Sequence, residues 1–208
     1  MRPLLVLFDV DGTLFLTHDP LTGIALRETL SERFGVELPE DALERVDHEG
    51  QTSLRIARLV LRDAGLDARD LAPWCAEFTN RYLELLSDAD TSGWQAAPGA
   101  EESLALLQAS GRRLALLTGN PEPVARARLE RLGLGRFFPA GQGAYGCEAE
   151  SRTELIALAR ARAGDWPAER TVEVGDTAVD VSSAREAGIR SLRVGPGTGL
   201  ADALAQLG

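Results

Sequence analysis

Apolar residues in this chain fall into two alternating patterns, short continuous runs and longer stretches with helical spacing. Leu4 to Phe8 is an unbroken apolar run closed by Asp9, as expected of a strand covered on both faces. Similar runs recur at Leu114 to Leu117, closed by Thr118-Gly119-Asn120, and at Thr171 to Val174, closed by Gly175-Asp176. A shorter strand is predicted at Leu192 to Val194 and another at Phe137-Phe138. Between them, Glu101 to Gln108, Val124 to Leu132, Glu154 to Ala163 and Val179 to Ala187 carry the spacing of amphipathic helices. Gly188 follows as a helix stop, and Leu200 to Leu207 reads as a last helix. Strand and helix in alternation predict an α/β fold, a parallel sheet with helices on both faces.

Residues 20 to 87 depart from this alternation. Only helical spacing occurs there, at Ile24 to Phe34, Ser53 to Ala64 and Leu71 to Leu86. Lying between the first two strands, the segment reads as an inserted helical unit. The expected division is a core of residues 1–16 and 93–208 with an insert of residues 17–92, hinged around Leu16 to Pro20 and Ser92 to Pro98. Trp74, Phe78 and Tyr82, four residues apart, form a stripe suited to the interior of that insert.

Composition narrows the function. The 208 residues include 32 acidic and 22 basic side chains, a net charge of −10, which disfavours a nucleic-acid backbone as partner. No apolar run reaches the length of a membrane span, and Met1-Arg2-Pro3 leads straight into a run too short for a secretory signal, so the expectation is a cytoplasmic protein. Cys75 and Cys147, far apart and outside any C-x-x-C pattern, are expected to be reduced thiols. Every basic residue other than histidine is arginine, so no step can use a lysine amine.

In an open α/β sheet ligands bind beyond the carboxyl ends of the strands, and here those ends carry Asp9, Asp11, Thr118, Asn120, Asp176 and Asp180. Asp9 and Asp11, two apart on extended chain, point to one side and repel unless they share a proton or a cation. Asp176 and Asp180 add two carboxylates, and four converging acids call for a divalent ion. Thr118-Gly119-Asn120 before a helix start at Pro121 suits either a phosphate cradle or a plain helix cap. Gly195-Pro196-Gly197-Thr198-Gly199 lacks the spacing of a nucleotide loop and reads as a turn.

The order of these motifs, D-x-D-G-T after the first strand, T-G-N after the second, a basic residue heading a helix, then G-D-x-x-x-D, resembles the haloacid dehalogenase superfamily of aspartate-dependent phosphohydrolases, with its Rossmann-like fold. The resemblance spans residues 3 to 195 and implies a phosphatase of small phosphomonoesters, phosphoglycolate or sugar phosphates among them. It implies that Asp9 is the nucleophile and Asp11 the general acid and base. It implies Mg²⁺ held by Asp9, Asp11 through its backbone carbonyl, and Asp176, with Asp180 an outer or additional ligand. Thr118, Gly119 and Asn120 would hold the phosphoryl group. Arg152 would stand where the family usually has a lysine, whereas Arg160 and Arg162 fall on solvated helix positions.

The insert would be the family's cap, with His48-Glu49-Gly50-Gln51-Thr52 the segment aimed at the active site and Gly50, Gln51 and Thr52 its specificity residues. Arg55 lies one turn further on, and His48 itself reads as an exposed loop histidine. The partner implied is a small phosphorylated metabolite, with monomer and dimer both open. Two other readings are an intramolecular phosphotransferase resembling β-phosphoglucomutase and a catalytically silent phosphate-binding module.

Overall fold

The computed structural model describes residues 3–207; Met1 and Arg2, where the sequence reading begins its first segment, lie outside the described residues. Five parallel strands, β1 (Leu5–Phe8), β2 (Arg113–Thr118), β3 (Ala144–Tyr145), β4 (Thr171–Gly175) and β5 (Arg190–Arg193), form one sheet in the order β3-β2-β1-β4-β5. β1 is central, with Phe8 level with Leu116 of β2 and Val174 of β4. Its side chains alternate between two buried layers. Val6 and Phe8 join a cluster with Leu104, Leu129 and Leu204, and Leu5 and Leu7 join one with Leu155, Ile156 and Ala184. A strand that is apolar on both faces belongs in the middle of such a sheet, which explains the unbroken run at its positions.

The expected strand at Phe137-Phe138 is not one. Gly135–Phe137 forms a 3-10 turn and both phenylalanines drop into the core below the sheet, so burial rather than strand pairing accounts for the apolar pair. The third strand is instead Ala144–Tyr145, too short and too mixed in composition to stand out.

Between β1 and β2 run α1 (Pro20–Phe34), α2 (Ser53–Asp63) and α3 (Ala72–Asp88), followed by α4 (Ala100–Ala109). After β2 come α5 (Glu122–Arg131), α6 (Arg152–Arg162), α7 (Ala178–Glu186) and α8 (Leu200–Ala205). Helices α1 to α3 share an apolar cluster of their own, including Leu26, Leu30, Leu61, Trp74, Phe78 and Tyr82, and Val124 of α5 enters it from the sheet side. Trp74 stacks on Phe78 at 5.0 Å between ring centroids and donates its indole N–H to Thr29. The α1 helix starts four residues before its apolar spacing does, because Asp19 caps it by accepting from the Leu21 amide at 3.0 Å and Pro20 occupies its first turn.

The cysteines correct the sequence reading. Cys75 of α3 and Cys147, in the loop after β3, form a disulfide with their Cα atoms 5.9 Å apart. A separation of 72 residues hides the pairing in the sequence, and only the packing of α3 against the β3 loop brings the thiols together. Among the described residues no helix is long and apolar enough to cross a membrane.

Candidate active site

A cleft of about 600 Å³ opens at the carboxyl ends of β1, β2 and β4, roofed by α1 and the loop before α2. Level strand ends place Asp9, Thr118 and Asp176 side by side: Asp9 follows Phe8, and Thr118 and Asp176 lie two residues past Leu116 and Val174, the partners of Phe8. The Asp9 amide continues the ladder to the Val174 carbonyl at 2.9 Å, which fixes its carboxylate at the cleft floor. Beyond it the chain turns tightly, with the Thr13, Leu14 and Phe15 amides all returning to the Val10 carbonyl. Gly12 enables that turn at φ +73°, and a Cβ there would lie 2.1 Å from an Asp176 carboxylate oxygen. Only glycine lets the two acidic loops approach so closely.

Carboxylate oxygens of Asp9, Asp176 and Asp180 lie within 4.8 Å of one another, a spacing that suits one small cation. All-oxygen donors of this kind favour a hard divalent ion. Asp176 also accepts from the Thr13 hydroxyl at 3.4 Å. Asp180 closes a capping box on α7: its Oδ2 accepts from the amide and hydroxyl of Thr177 at 2.8 and 2.7 Å, and its own amide donates back to the Thr177 hydroxyl. Its other oxygen, Oδ1, faces Arg152 at 2.6 Å.

Arg152, at the start of α6, is buried in this acidic nest. Its Nη2 lies 3.1 Å from Asp9 and 2.6 Å from Asp180 and donates to the Leu117 carbonyl at 3.0 Å, while its Nε donates to Glu173 at 3.0 Å. Burial pushes the Asp9 carboxyl well above its ordinary range; Arg152 opposes that shift, and the neighbouring acids add to it. Desolvation and Asp180 likewise raise Asp176. Glu173, fully buried on β4, is pushed up to about 7 by burial against the pull of Arg152. Such crowding of carboxylates in low dielectric is relieved by a cation.

Asp11 stands apart from the three clustered acids. Its side chain, half exposed to the cleft, accepts from Arg128 Nη1 at 2.7 Å on one oxygen and from the Asn120 amide group on the other. Thr118 is fully buried and its hydroxyl accepts from the Asn120 backbone and side chain at 3.3 and 3.0 Å.

The Gly50-Gln51-Thr52 segment presses on the loops of the sheet. A Cβ on Gly50 would meet the Thr177 hydroxyl at 2.4 Å, and one on Gly119 would meet the Gln51 carbonyl at 2.1 Å. The Thr52 hydroxyl accepts from the Arg55 amide as the N-cap of α2 and donates to the Glu150 carbonyl at 3.1 Å. Next to it, the Ser53 amide and hydroxyl both donate to the Gly119 carbonyl, at 2.9 and 2.8 Å, and the Leu54 amide donates to Gly146. Arg58 completes the docking, its Nε 2.9 and 2.8 Å from the two Glu150 oxygens. His48 is half-buried on the cleft wall, with Nδ1 3.1 Å from the Val46 carbonyl, rather than a free loop residue. Arg55, one turn further on, is not among the cleft-lining residues and lies in the field of Glu150. Arg160 and Arg162 are engaged away from the cleft, with Trp166 and Glu148.

Two residues escaped the sequence reading. Glu173 was hidden inside an apolar strand run, where a lone acid in an otherwise apolar Thr-Val-Glu-Val was the signal available. Arg128 sits on α5 at an ordinary helix position, and nothing in the local pattern separates it from Arg126 or Arg131.

A sequence profile described as "haloacid dehalogenase-like hydrolase" matches residues 4–188. The phosphoglycolate phosphatase of Rhodospirillum rubrum is 35% identical over 191 residues, covering 90% of this chain and 77% of that protein. A protein named tyrosine-protein kinase PtkA, from Mycobacterium tuberculosis, is 33% identical over 96% of this chain and 65% of its own length. Among solved structures, CbbY from Rhodobacter sphaeroides in complex with phosphate superposes with a TM-score of 0.65 at 23% identity, covering 91% of this chain and 85% of that one.

Proposed function

The chain belongs to the haloacid dehalogenase-like hydrolases, and from that membership we propose that it is a Mg²⁺-dependent phosphatase of small phosphomonoesters, working through a phosphoryl group carried on Asp9. The observation that carries the proposal is the division of the two neighbouring acids. Asp9 lies on the cleft floor with Asp176, Asp180 and Arg152, whereas Asp11 is held outside that cluster by Arg128 and Asn120. A nucleophile and an acid that act on opposite sides of one phosphorus need that separation.

In this reading Asp9 attacks the phosphorus, and Arg152 and the Thr118-Gly119-Asn120 loop steady the charge on the transferring group. Asp11 gives a proton to the departing oxygen and afterwards takes one from the water that releases phosphate. Asp9 and Asp176 would hold the metal, with Asp180 behind them, since both Asp180 oxygens are engaged by Thr177 and Arg152. When bound, Mg²⁺ would supply charge neutralisation between the carboxylates and the phosphoryl oxygens. Residues 17–92 act as a cap whose Gly50-Gln51-Thr52 segment closes the cleft over the substrate and excludes water. Phosphoglycolate is the first substrate to try, on the strength of the R. rubrum relative. A cytoplasmic setting, where such metabolites occur, goes with the reading.

The test is phosphate release from a panel of phosphoglycolate, sugar phosphates and nucleotides, with Mg²⁺ and with EDTA, for the wild type and Asp9→Asn. Metal-dependent release that Asp9→Asn abolishes is the expected result. Release that persists in Asp9→Asn, or is indifferent to EDTA, overturns it.

A further inference from the structure

The buried arginine that sequence reading passed over occupies the seam between the inserted helices and the sheet. Arg128 projects from α5, and all five of its N–H donors find acceptors. Its Nε donates to the Tyr82 hydroxyl at 3.1 Å, Nη1 to Asp11 at 2.7 Å and Asn120 Oδ1 at 3.1 Å, and Nη2 to Asp19 at 2.8 Å and the Thr22 hydroxyl. Asp19 and Thr22 belong to the start of α1 and Tyr82 to α3, so three of the five acceptors come from the insert and two from the sheet's loops. The ring centroids of Phe15 and Tyr82 each lie 5.2 Å from the guanidinium carbon. Tyr82 donates in turn to Asp19 at 2.6 Å, closing the network.

A guanidinium so fully engaged has little freedom, and it is not a free cation awaiting an anionic ligand. What it fixes is Asp11. With Arg128 on one carboxylate oxygen and Asn120 on the other, Asp11 is tied to the insert's seam and left out of the cluster that Asp9, Asp176 and Asp180 form. In an in-line displacement at phosphorus the leaving oxygen departs on the side opposite the nucleophile, so its proton donor must be held by contacts other than the nucleophile's own, as Asp11 is by Arg128 and Asn120.

We propose that Arg128 is a positioning residue for phosphoester cleavage, holding Asp11 toward the leaving oxygen and tying that placement to the seating of the insert through Asp19, Thr22 and Tyr82. The proposal rests on Asp11 being the acid of the reaction, as in the reading above. It accounts for a cation buried at the seam where an apolar residue would pack, and it gives the insert a direct line to the acid besides its role as a roof.

The discriminating quantity is kcat/KM, which reports the step in which the leaving group departs, for two classes of ester. An alkyl phosphate needs a proton on its leaving oxygen; p-nitrophenyl phosphate, with a stable phenolate, does not. Arg128→Lys keeps a charge beside Asp19 but cannot span all five acceptors. It is expected to lower kcat/KM for the alkyl ester by roughly 10-fold to 100-fold and for the aryl ester by no more than about 3-fold, as suits a misplaced acid. Asp11→Asn should show the same selectivity, and adding Arg128→Lys to it should change little. Tyr82→Phe, which removes one acceptor without touching the buried charges, should reproduce the pattern more weakly and serves if Arg128→Lys does not fold. Equal losses on both esters in Arg128→Lys and Tyr82→Phe would overturn the proposal while leaving the phosphatase reading intact. Equal losses in Asp11→Asn would instead remove Asp11 as the acid, and the proposal with it.

Discussion

Arg152 sits among three carboxylates, Asp9, Asp180 and Glu173, in a setting shielded from water. A buried charge of this kind persists only when it is paired, and deleting one partner leaves the rest uncompensated at about 3–5 kcal/mol. Glu173 orients the arginine that, in the proposed function, steadies the transferring phosphoryl group. The guanidinium is a planar fork, so its Nε turns to Glu173 while Nη2 reaches Asp9 and Asp180, and the strand acid sets the angle of the fork. Arg152→Lys should therefore do more harm than a charge-conserving change suggests. An ammonium cannot span Glu173 and Asp9 together, and phosphatase activity should fall by about 10-fold or more. Adding Glu173→Gln, which removes the carboxylate left without its partner, should recover part of the lost stability in urea unfolding. Full activity in Arg152→Lys alone would show that the fork geometry does not matter.

At the scale of elements, the cleft is built by level strand ends and by the docking of α2. The amides of Ser53 and Leu54, free of helical partners because they open α2, donate instead to carbonyls of the sheet's loops. Gly119 and Gly146 make room for this: a Cβ on Gly146 would lie 1.6 Å from the Gly119 carbonyl oxygen. The strand ends were legible in the sequence, since an apolar run closed by acid or by Thr-Gly-Asn marks both a buried strand and the polar loop beyond it. The helices between β1 and β2 were legible as a break in alternation. The short β3 was not, because two residues carry no period, and Phe137-Phe138 misled because apolar character reports burial before it reports strand. Residues that act across the seam, Arg128 with Tyr82 and Asp19, were equally hidden, as their partners lie 46 and 109 positions away. Tyr82 was read only as interior; its ring is, but its hydroxyl belongs to the polar network.

For the molecule as a whole, the disulfide changes what the insert can do. Cys75 rides on α3 and Cys147 on the loop after β3, so the bond ties the inserted helices to the sheet at a point remote in sequence from the hinges expected near residues 16–20 and 92–98. A bond that closes so long a loop is worth typically 2–4 kcal/mol. Reduction, or Cys75→Ser with Cys147→Ser, should lower the urea midpoint and speed hydrogen exchange at the Ser53 and Leu54 amides, which seat α2 on the sheet. Identical midpoints and exchange rates with and without reductant would mean that the bond carries none of this docking.

The central claim is that Asp9 carries the phosphoryl group, and it can be tested on the atom itself. Wild-type protein quenched during turnover of its preferred phosphomonoester with Mg²⁺ is reduced with borohydride, which converts an acyl phosphate of aspartate to homoserine, and the peptides are mapped by mass spectrometry. The expected result is homoserine at position 9, dependent on substrate and Mg²⁺. Active protein quenched in the same way with Asp9 unmodified and homoserine at another position would contradict it.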